Sequence, residues 1–358
     1  MSEPNDSCCV RAPQRGRAAL LCGVACFVAG QLVLGLVLNH SRPVRDPEYG
    51  LRLTSLRARV AERPPSRPMV LLLGSSRVAM GIRPALFTTN QPGGRGPIVF
   101  NFGLCRSGPV MELPCLRRLL ADGVRPDAVF VETWWALTNS NPADQMAAIR
   151  PERLSGEDLD YLKPYYQDAR PEYRRCSDEM VPWHSYRTHL LNQYAPAWVS
   201  RAQRTGDEWA GLDGWGWLRH ATAARSYVHE PLGLSIHDGY LAAGRQFQVN
   251  DDGRRALAEV LTLCRQQKIR ATLLAMPDGF LPDYEAATRA RMDEFLHEIS
   301  REQDVPLLDA RDWAPLEDFA DGVHLTHDGA AAFSKRLERE MVGPYLDGAP
   351  PGRLTAGP

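Results

Sequence analysis

A long apolar segment near the amino end constrains this chain more than any other feature. From Ala18 to Leu38 the sequence has no charged residue, and Gln31 is its clearly polar side chain. About 21 residues at 1.5 Å each are enough for a helix to cross a bilayer core of roughly 30 Å. The segment therefore predicts a transmembrane helix over residues 18–38.

Basic residues before this segment predict its orientation. Arg11, Arg15 and Arg17 precede it, and such residues are typical of the cytoplasmic side. We expect residues 1–17 to form a cytoplasmic tail and the remainder to be exported to the periplasm or the cell exterior. A cleaved signal peptide is the alternative, but its apolar region would span about 7 to 15 residues and end at a small-x-small site. The sequence favours the uncleaved anchor.

Composition indicates a globular exported part. The chain has 358 residues, of which 44% are hydrophobic, enough for one large domain or two small ones. A net charge of −1 argues against binding nucleic acid through a general basic field. Residues 39–68 are rich in Arg and Pro and predict a juxtamembrane stalk with a short helix near 51–61. Residues 346–358 predict a disordered tail.

Apolar runs alternate with helical patterns over residues 69–345. The runs predict strands at 69–73, 98–102, 127–132, 269–276 and 305–309, and the patterns predict helices at 111–121, 253–267, 282–303 and 326–342. This order predicts a parallel sheet in an α/β domain. Between 139 and 250 the rhythm disappears, so we expect a large irregular insertion. Its tryptophans either pack the insertion onto the domain or line a groove that stacks on sugar rings.

A serine at the end of the first strand is the candidate nucleophile. Met69 to Leu73 runs into Gly-Ser-Ser, and reactive groups gather at the carboxyl edge of such sheets. A serine hydroxyl needs a base, and the base needs a third group to orient it. His324 follows the last strand at the same edge, with Asp321 three residues upstream. His327 and Asp328 are alternatives, but we predict that they begin the last helix.

Three segments resemble a known family. GSSRVAMGIRP, NFGLCRSGP and DGVHLTHDGAAAF are similar to blocks of the SGNH (GDSL-like) hydrolase superfamily. Within it, the chain resembles the membrane-anchored DltD and alginate-acetylation groups, which are associated with acyl transfer to cell-surface polymers. The resemblance covers about residues 69–110 and 271–342. It implies a three-layer α/β/α, flavodoxin-like fold and a mechanism without a metal or organic cofactor.

The resemblance also implies roles for particular residues. Ser76 would be the nucleophile, His324 the general base and Asp321 the acid that orients it. The backbone N–H groups of Gly103 and Ser76 would form the oxyanion hole.

One block of the family pattern is absent. The usual Gly-x-Asn-Asp has no clear counterpart, because the third strand runs into ETWWALTNSN. Asn139 or Asn141 is a candidate for the missing oxyanion-hole asparagine. Alternatively, Trp134 or Trp135 shapes an acyl pocket.

The predicted function is a membrane-anchored serine esterase or O-acyltransferase. The resemblance implies acyl esters, often acetyl, of an envelope polysaccharide or other polymer, and a membrane-bound acyltransferase as a partner. A non-catalytic SGNH-fold protein that binds glycans or assists envelope assembly is the main alternative. A metal-dependent hydrolase using the insertion's histidines is a weaker one, because no ligand pair has suitable spacing with a carboxylate.

Overall fold

A five-stranded parallel sheet forms the centre of the computed structural model, which describes residues 12–62, 64, 66–91, 93–138, 153–165, 181–200, 204 and 209–342. The strands are β1 (Met69–Leu73), β2 (Ile98–Asn101), β3 (Ala128–Glu132), β4 (Arg270–Ala275) and β5 (Leu307–Asp309). Their order is β2-β1-β3-β4-β5, and every neighbouring pair is parallel. This is the flavodoxin-like order, so the predicted fold class is confirmed.

Helices cover both faces of the sheet. The described α-helices are α1 (Ala12–His40), α2 (Arg42–Arg45), α3 (Pro47–Glu62), α4 (Ser76–Gly81), α5 (Pro109–Ala121), α6 (Trp135–Thr138), α7 (Gly156–Leu162), α8 (Pro182–Tyr194), α9 (Pro231–Arg245), α10 (Asp251–Gln266), α11 (Ala286–Gln303) and α12 (His327–Leu337). A π-helical turn, Glu338–Val342, follows α12.

Alternation along β1 explains the three layers. Successive side chains of a strand point to opposite faces of its sheet. Leu71 and its alternate neighbours join a buried cluster with α3, α5 and α10. Leu72 joins a second cluster with α4 and α12. Because both faces are buried, the strand is apolar along its whole length, as the sequence indicated.

The structure corrects the predicted stalk. Residues 42–62 form α2 and α3, and α3 packs against the domain through Tyr49, Leu53 and Leu56. These three residues recur at helical spacing and form one apolar face. Arg and Pro in the flanking sequence suggested a linker, but this face needs a partner, and the domain supplies it.

The predicted insertion is more regular than expected. Its described ranges contain α7, α8 and α9. The buried Trp217 ties it to the domain by donating from Nε1 to the Met80 carbonyl at 2.6 Å. Residues 346–358 and most of the predicted tail 1–17 lie outside the described residues.

The amino-terminal helix has the predicted character. Within the described chain, Gly16–His40 is the helix that is long and apolar enough to cross a membrane, with a mean hydropathy of 2.4. It passes into α2 after Ser41 alone.

Candidate active site

The turn after β1 places Ser76 at the first position of α4. Ser75 is the helix cap, and its hydroxyl accepts the Arg77 N–H at 3.1 Å. The Ser75 N–H donates to Glu132 Oε2 at 2.6 Å, which ties the turn to the end of β3. A Cβ on Gly74 would lie 2.6 Å from the same oxygen, so the turn requires glycine there. The local sequence thus folds into a tight strand-to-helix turn.

Ser76, His324 and Asp321 form a continuous hydrogen-bonded chain. Ser76 Oγ lies 2.8 Å from His324 Nε2, and His324 Nδ1 lies 2.8 Å from Asp321 Oδ2. An ionised carboxylate only accepts hydrogen bonds, so it selects the tautomer with the proton on Nδ1. Nε2 is then left as the acceptor for the serine proton. The structure brings together the three residues that the sequence singled out.

Asp321 is held by its own turn. Its Oδ1 accepts the N–H groups of Val323 at 2.9 Å and His324 at 2.7 Å. Burial raises the pKa of this carboxyl, but the hydrogen bonds and charge of His324 and the Val323 N–H outweigh it, and the pKa falls below its usual value. Gly322 makes the turn possible, because its φ is +86° and a Cβ there would collide with the Phe280 ring. Asp321 is therefore an oriented carboxylate at neutral pH.

The alternative base His327 has a different hydrogen-bond partner from His324. α12 begins at His327, as predicted, with the Thr326 hydroxyl accepting the Gly329 N–H at 3.0 Å. His327 Nε2 lies 3.0 Å from the His220 carbonyl oxygen. Within the described ranges, no group of three or more His, Cys, Asp or Glu residues is placed to hold a metal ion.

Ser76 and His324 open into a pocket of about 380 Å³. The lining residues are Glu48, Ser76, Met80, Cys105, Arg106, Arg153, His189, Trp209, Leu218, His220 and His324. Six of them come from segments that the sequence assigned to the stalk or the insertion: Glu48, Arg153, His189, Trp209, Leu218 and His220. Trp209 agrees with the predicted alternative in which tryptophans of the insertion line a groove. Local patterns gave no signal for the other five, because the contacts join residues distant in the chain.

Paired charges form one wall of the pocket. Glu48 accepts from Arg153 at 2.9 Å, and Asp46 forms ion pairs with Arg153 at 2.6 Å and Arg118 at 2.8 Å. Burial raises the pKa of Asp46, but the charges of Arg153 and Arg118 outweigh it, and the pKa lies below its usual value. Arg118 also pairs with Asp158 of α7 at 2.7 Å. The cluster locks α2, α3, α5 and α7 into one wall.

The predicted oxyanion donors differ in their environment. The Ser76 N–H stands at the start of α4, where a helix offers no internal acceptor. The Gly103 N–H instead donates to Asn101 Oδ1 at 2.9 Å. A Cβ on Gly103 would lie 2.6 Å from Ala79 N, so glycine is required for this close approach. An oxyanion role for Gly103 requires its N–H to leave Asn101, and it stays a prediction.

Asn101 is a residue that the sequence reasoning missed. It is fully buried, and its Nδ2 donates to the carbonyls of Val78 and Ile82 at 2.7 Å each. It thereby fixes the carboxyl half of α4 to the end of β2. A polar residue ending an apolar strand was the available signal. The tentative candidate Asn139, like Asn141, lies outside the described residues.

The tryptophans after β3 do not line the Ser76 pocket. The Arg77 guanidinium lies 4.3 Å from the centre of the Trp134 ring. Trp135 is buried edge-on against Phe247 and Tyr284. The predicted acyl pocket at these residues is therefore wrong. The aliphatic side chains in the lining of the Ser76 pocket are instead Met80 and Leu218.

Comparisons with known proteins give weak matches. No family model and no curated protein matches the sequence. Among solved structures, TesA is similar with a TM-score of 0.38 and 11% identity over 78% of this chain and 98% of that chain. A putative acylhydrolase from Bacteroides fragilis has a TM-score of 0.38 and 11% identity over 82% and 98% of the two chains. An acetylxylan esterase from Geobacillus stearothermophilus has a TM-score of 0.35 and 11% identity over 80% and 97%.

Proposed function

We propose that this SGNH-like chain is a membrane-anchored serine esterase or O-acyltransferase. The observation that carries the proposal is the hydrogen-bonded chain from Ser76 through His324 to Asp321, with 2.8 Å at each step, which opens into a pocket. These distances are those expected of a nucleophile, its general base and an orienting acid.

The proposed reaction follows from this geometry. Ser76 Oγ attacks the ester carbonyl carbon while His324 Nε2 takes its proton. The Ser76 N–H at the start of α4 stabilises the oxyanion, since a preorganised donor favours the charge that develops there. His324 then returns the proton to the leaving alkoxide, and the acyl group remains on Ser76. Asp321 holds the imidazole and stabilises its charged form throughout.

The pocket suggests a small acyl group on a polar carrier. Met80 and Leu218 offer limited apolar surface, whereas Arg106 and the paired Glu48 and Arg153 make the rest of the lining polar. Such a lining suits an acetyl group and the hydroxyls of a sugar. We infer an acetylated envelope polysaccharide or similar polymer as the substrate class.

The second half of the reaction decides between hydrolysis and transfer. Water attacking the acyl-serine releases acetate, whereas a polymer hydroxyl takes the acyl group. In the transfer mode, a membrane-bound acyltransferase is the proposed supplier of acyl groups. Exposure of purified enzyme to a soluble acetyl ester with and without a polysaccharide acceptor separates the two modes.

Anchoring is part of the proposal. The apolar helix Gly16–His40 and the preceding arginines support an exported domain with a cytoplasmic amino end. A topology reporter fused after Pro358 leaves α2 and α3 in place, and we expect it to be active only outside the cytoplasm. Activity inside the cytoplasm would overturn this orientation.

Covalent labelling tests the triad. A fluorophosphonate probe should modify the full-length chain at Ser76, and Ser76→Ala and His324→Gln should lose the label. His327→Gln is the matched histidine control and should keep it, because His327 bonds to the His220 carbonyl rather than to Ser76. A folded wild-type chain that the fluorophosphonate probe never modifies would refute the enzymatic proposal.

One observation favours a second candidate function. The Gly103 N–H is engaged with Asn101, which leaves the oxyanion hole short of a donor. A non-catalytic glycan-binding or envelope-assembly protein would need no oxyanion hole. Polysaccharide binding by an unlabelled, folded chain would favour this candidate.

A further inference from the structure

Helix α8 packs along the last part of the apolar helix α1. Leu38 of α1 joins Tyr186 and Leu190 of α8 in a buried cluster, and Leu34 packs against it. Arg45 reinforces the contact by donating to the Leu38 carbonyl at 3.1 Å and to the Tyr186 hydroxyl at 2.8 Å. The domain is therefore joined rigidly to the end of the membrane-spanning helix.

Gln31 has a partner in α8. Its side-chain oxygen accepts the Trp183 N–H at 2.9 Å. Trp183 is in the first turn of α8, whose N–H groups lack helical acceptors, and the cap residue Val181 supplies no side-chain bond. In hydrocarbon an unpaired N–H costs several kcal/mol. Gln31, the polar residue of the apolar segment, thus accepts a hydrogen bond from the amino end of α8.

The position of Gln31 fixes where α8 meets the apolar helix. Seven residues separate Gln31 from Leu38, which corresponds to about 10 Å along a helix. Interfacial helices bury their apolar face to about 5–10 Å. With Leu38 as the last residue of the apolar segment, this separation matches the depth of an interfacial helix.

Three large aromatic side chains of α8 and the turn after it are exposed, beside the polar His184, Arg187 and Gln193. Trp183 is 42% exposed, Tyr194 64% and Trp198 82%. A groove of about 380 Å³ between α1 and α8 is lined by Leu34, Val37, Val44, Trp183, Leu190, Leu191, Tyr194 and Ala195. Trp and Tyr are enriched where a protein meets the membrane interface.

We propose that α8 and Trp198 lie within the exported leaflet of the bilayer and that lipid acyl chains fill the groove between α1 and α8. This inference rests on the membrane anchoring in the proposed function. Leu34 and Val37 of the spanning helix line the groove, so the groove continues the lipid-facing surface of that helix. We therefore infer that lipid is the occupant.

The arrangement has a consequence for the substrate. His189, on another side of α8, lines the Ser76 pocket, with Nε2 3.1 Å from the Val44 carbonyl oxygen. A helix with its side chains is about 10–12 Å across. The pocket is therefore held within about one helix diameter of lipid, and its ester donor is one presented at the membrane surface.

Quenching by lipids with brominated acyl chains tests the inference. The full-length chain is incorporated into lipid nanodiscs, and the quenched tryptophan emission is compared among wild type, Trp183→Phe and Trp198→Phe. Each variant should lose about half of the quenched emission, since these two rings lie at the interface. The control is Trp313→Phe, because Trp313 packs against Phe333 inside the domain and should leave quenching unchanged.

The outcomes separate this inference from the proposed chemistry. Unchanged quenching in both variants, in discs that contain the chain, would mean that α8 lies outside the lipid or faces another protein, and would overturn the inference. Fluorophosphonate labelling of the same discs reports independently on Ser76. A chain that does not enter discs would refute the anchor and this inference together, whereas loss of labelling alone would refute only the chemistry.

Discussion

Replacing Asp321 with asparagine should disable His324 while leaving the turn intact. Asp321 Oδ1 accepts two backbone N–H groups, at 2.9 and 2.7 Å, and Asn can keep both with its single oxygen. Its amide nitrogen then replaces the oxygen that lies 2.8 Å from His324 Nδ1. Because the amide donates, it favours the tautomer with the proton on Nε2. That tautomer cannot accept the Ser76 proton.

The size of the effect follows from the same change. In a serine protease triad, the equivalent tautomer reversal lowers turnover on the order of 10⁴-fold. At about 1.36 kcal/mol per tenfold, this corresponds to about 5.5 kcal/mol in the activation free energy. We expect Asp321→Asn to slow both fluorophosphonate labelling and hydrolysis of a soluble acetyl ester by roughly this factor.

The assay needs a control for charge and for folding. Asp312→Asn removes the same charge from an exposed position and should keep wild-type labelling. The unfolding midpoint of Asp321→Asn should show that the variant is folded at the assay temperature. A folded variant that labels within tenfold of wild type would refute the reasoning, because His324 would then keep its tautomer without Asp321.

Three further predictions concern the same edge of the sheet. The pKa of Asp321 is lowered in the folded chain. Its stabilising effect is therefore present above the unfolded pKa of about 3.9 and is lost as pH falls through the folded value. In urea titrations, the difference in unfolding free energy between wild type and Asp321→Asn should shrink below about pH 4. Gly322→Ala should destabilise the chain by at least about 2 kcal/mol, since the residue has φ +86° and a Cβ would collide with Phe280; an unchanged midpoint would contradict this. Glu132→Ala should lower stability by about 2–3 kcal/mol and slow labelling, because it removes the acceptor of the buried Ser75 N–H. Glu132→Gln keeps an oxygen there and should restore most of the labelling rate; no rescue would argue against a positioning role.

Local patterns indicated the sheet and its reactive edge, and the family resemblance assigned the candidate triad to particular residues at that edge. Each strand of the sheet contains an apolar run that was visible in the sequence, and the run is clearest in β1, which is buried along its whole length. Ser76 and His324 follow β1 and β5, and parallel strands bring their carboxyl ends to one edge. The sequence also indicated that the last helix begins near residue 326, and the structure begins α12 at His327 with Thr326 as its cap.

Contacts between distant segments were decided only by the tertiary structure. Glu48 and Arg153 meet at the pocket wall across about a hundred residues of chain. The hydrogen bond from Gly103 to Asn101 and the packing of α8 on α1 likewise depend on side-chain positions in the fold. The spacing of apolar residues in the sequence does not indicate these positions. A sequence pattern records which face of an element is apolar, whereas the partner of that face is selected by packing over the whole chain. For this reason the sequence determined the sheet and its reactive edge, and the fold determined the walls of the pocket and its position beside the apolar helix.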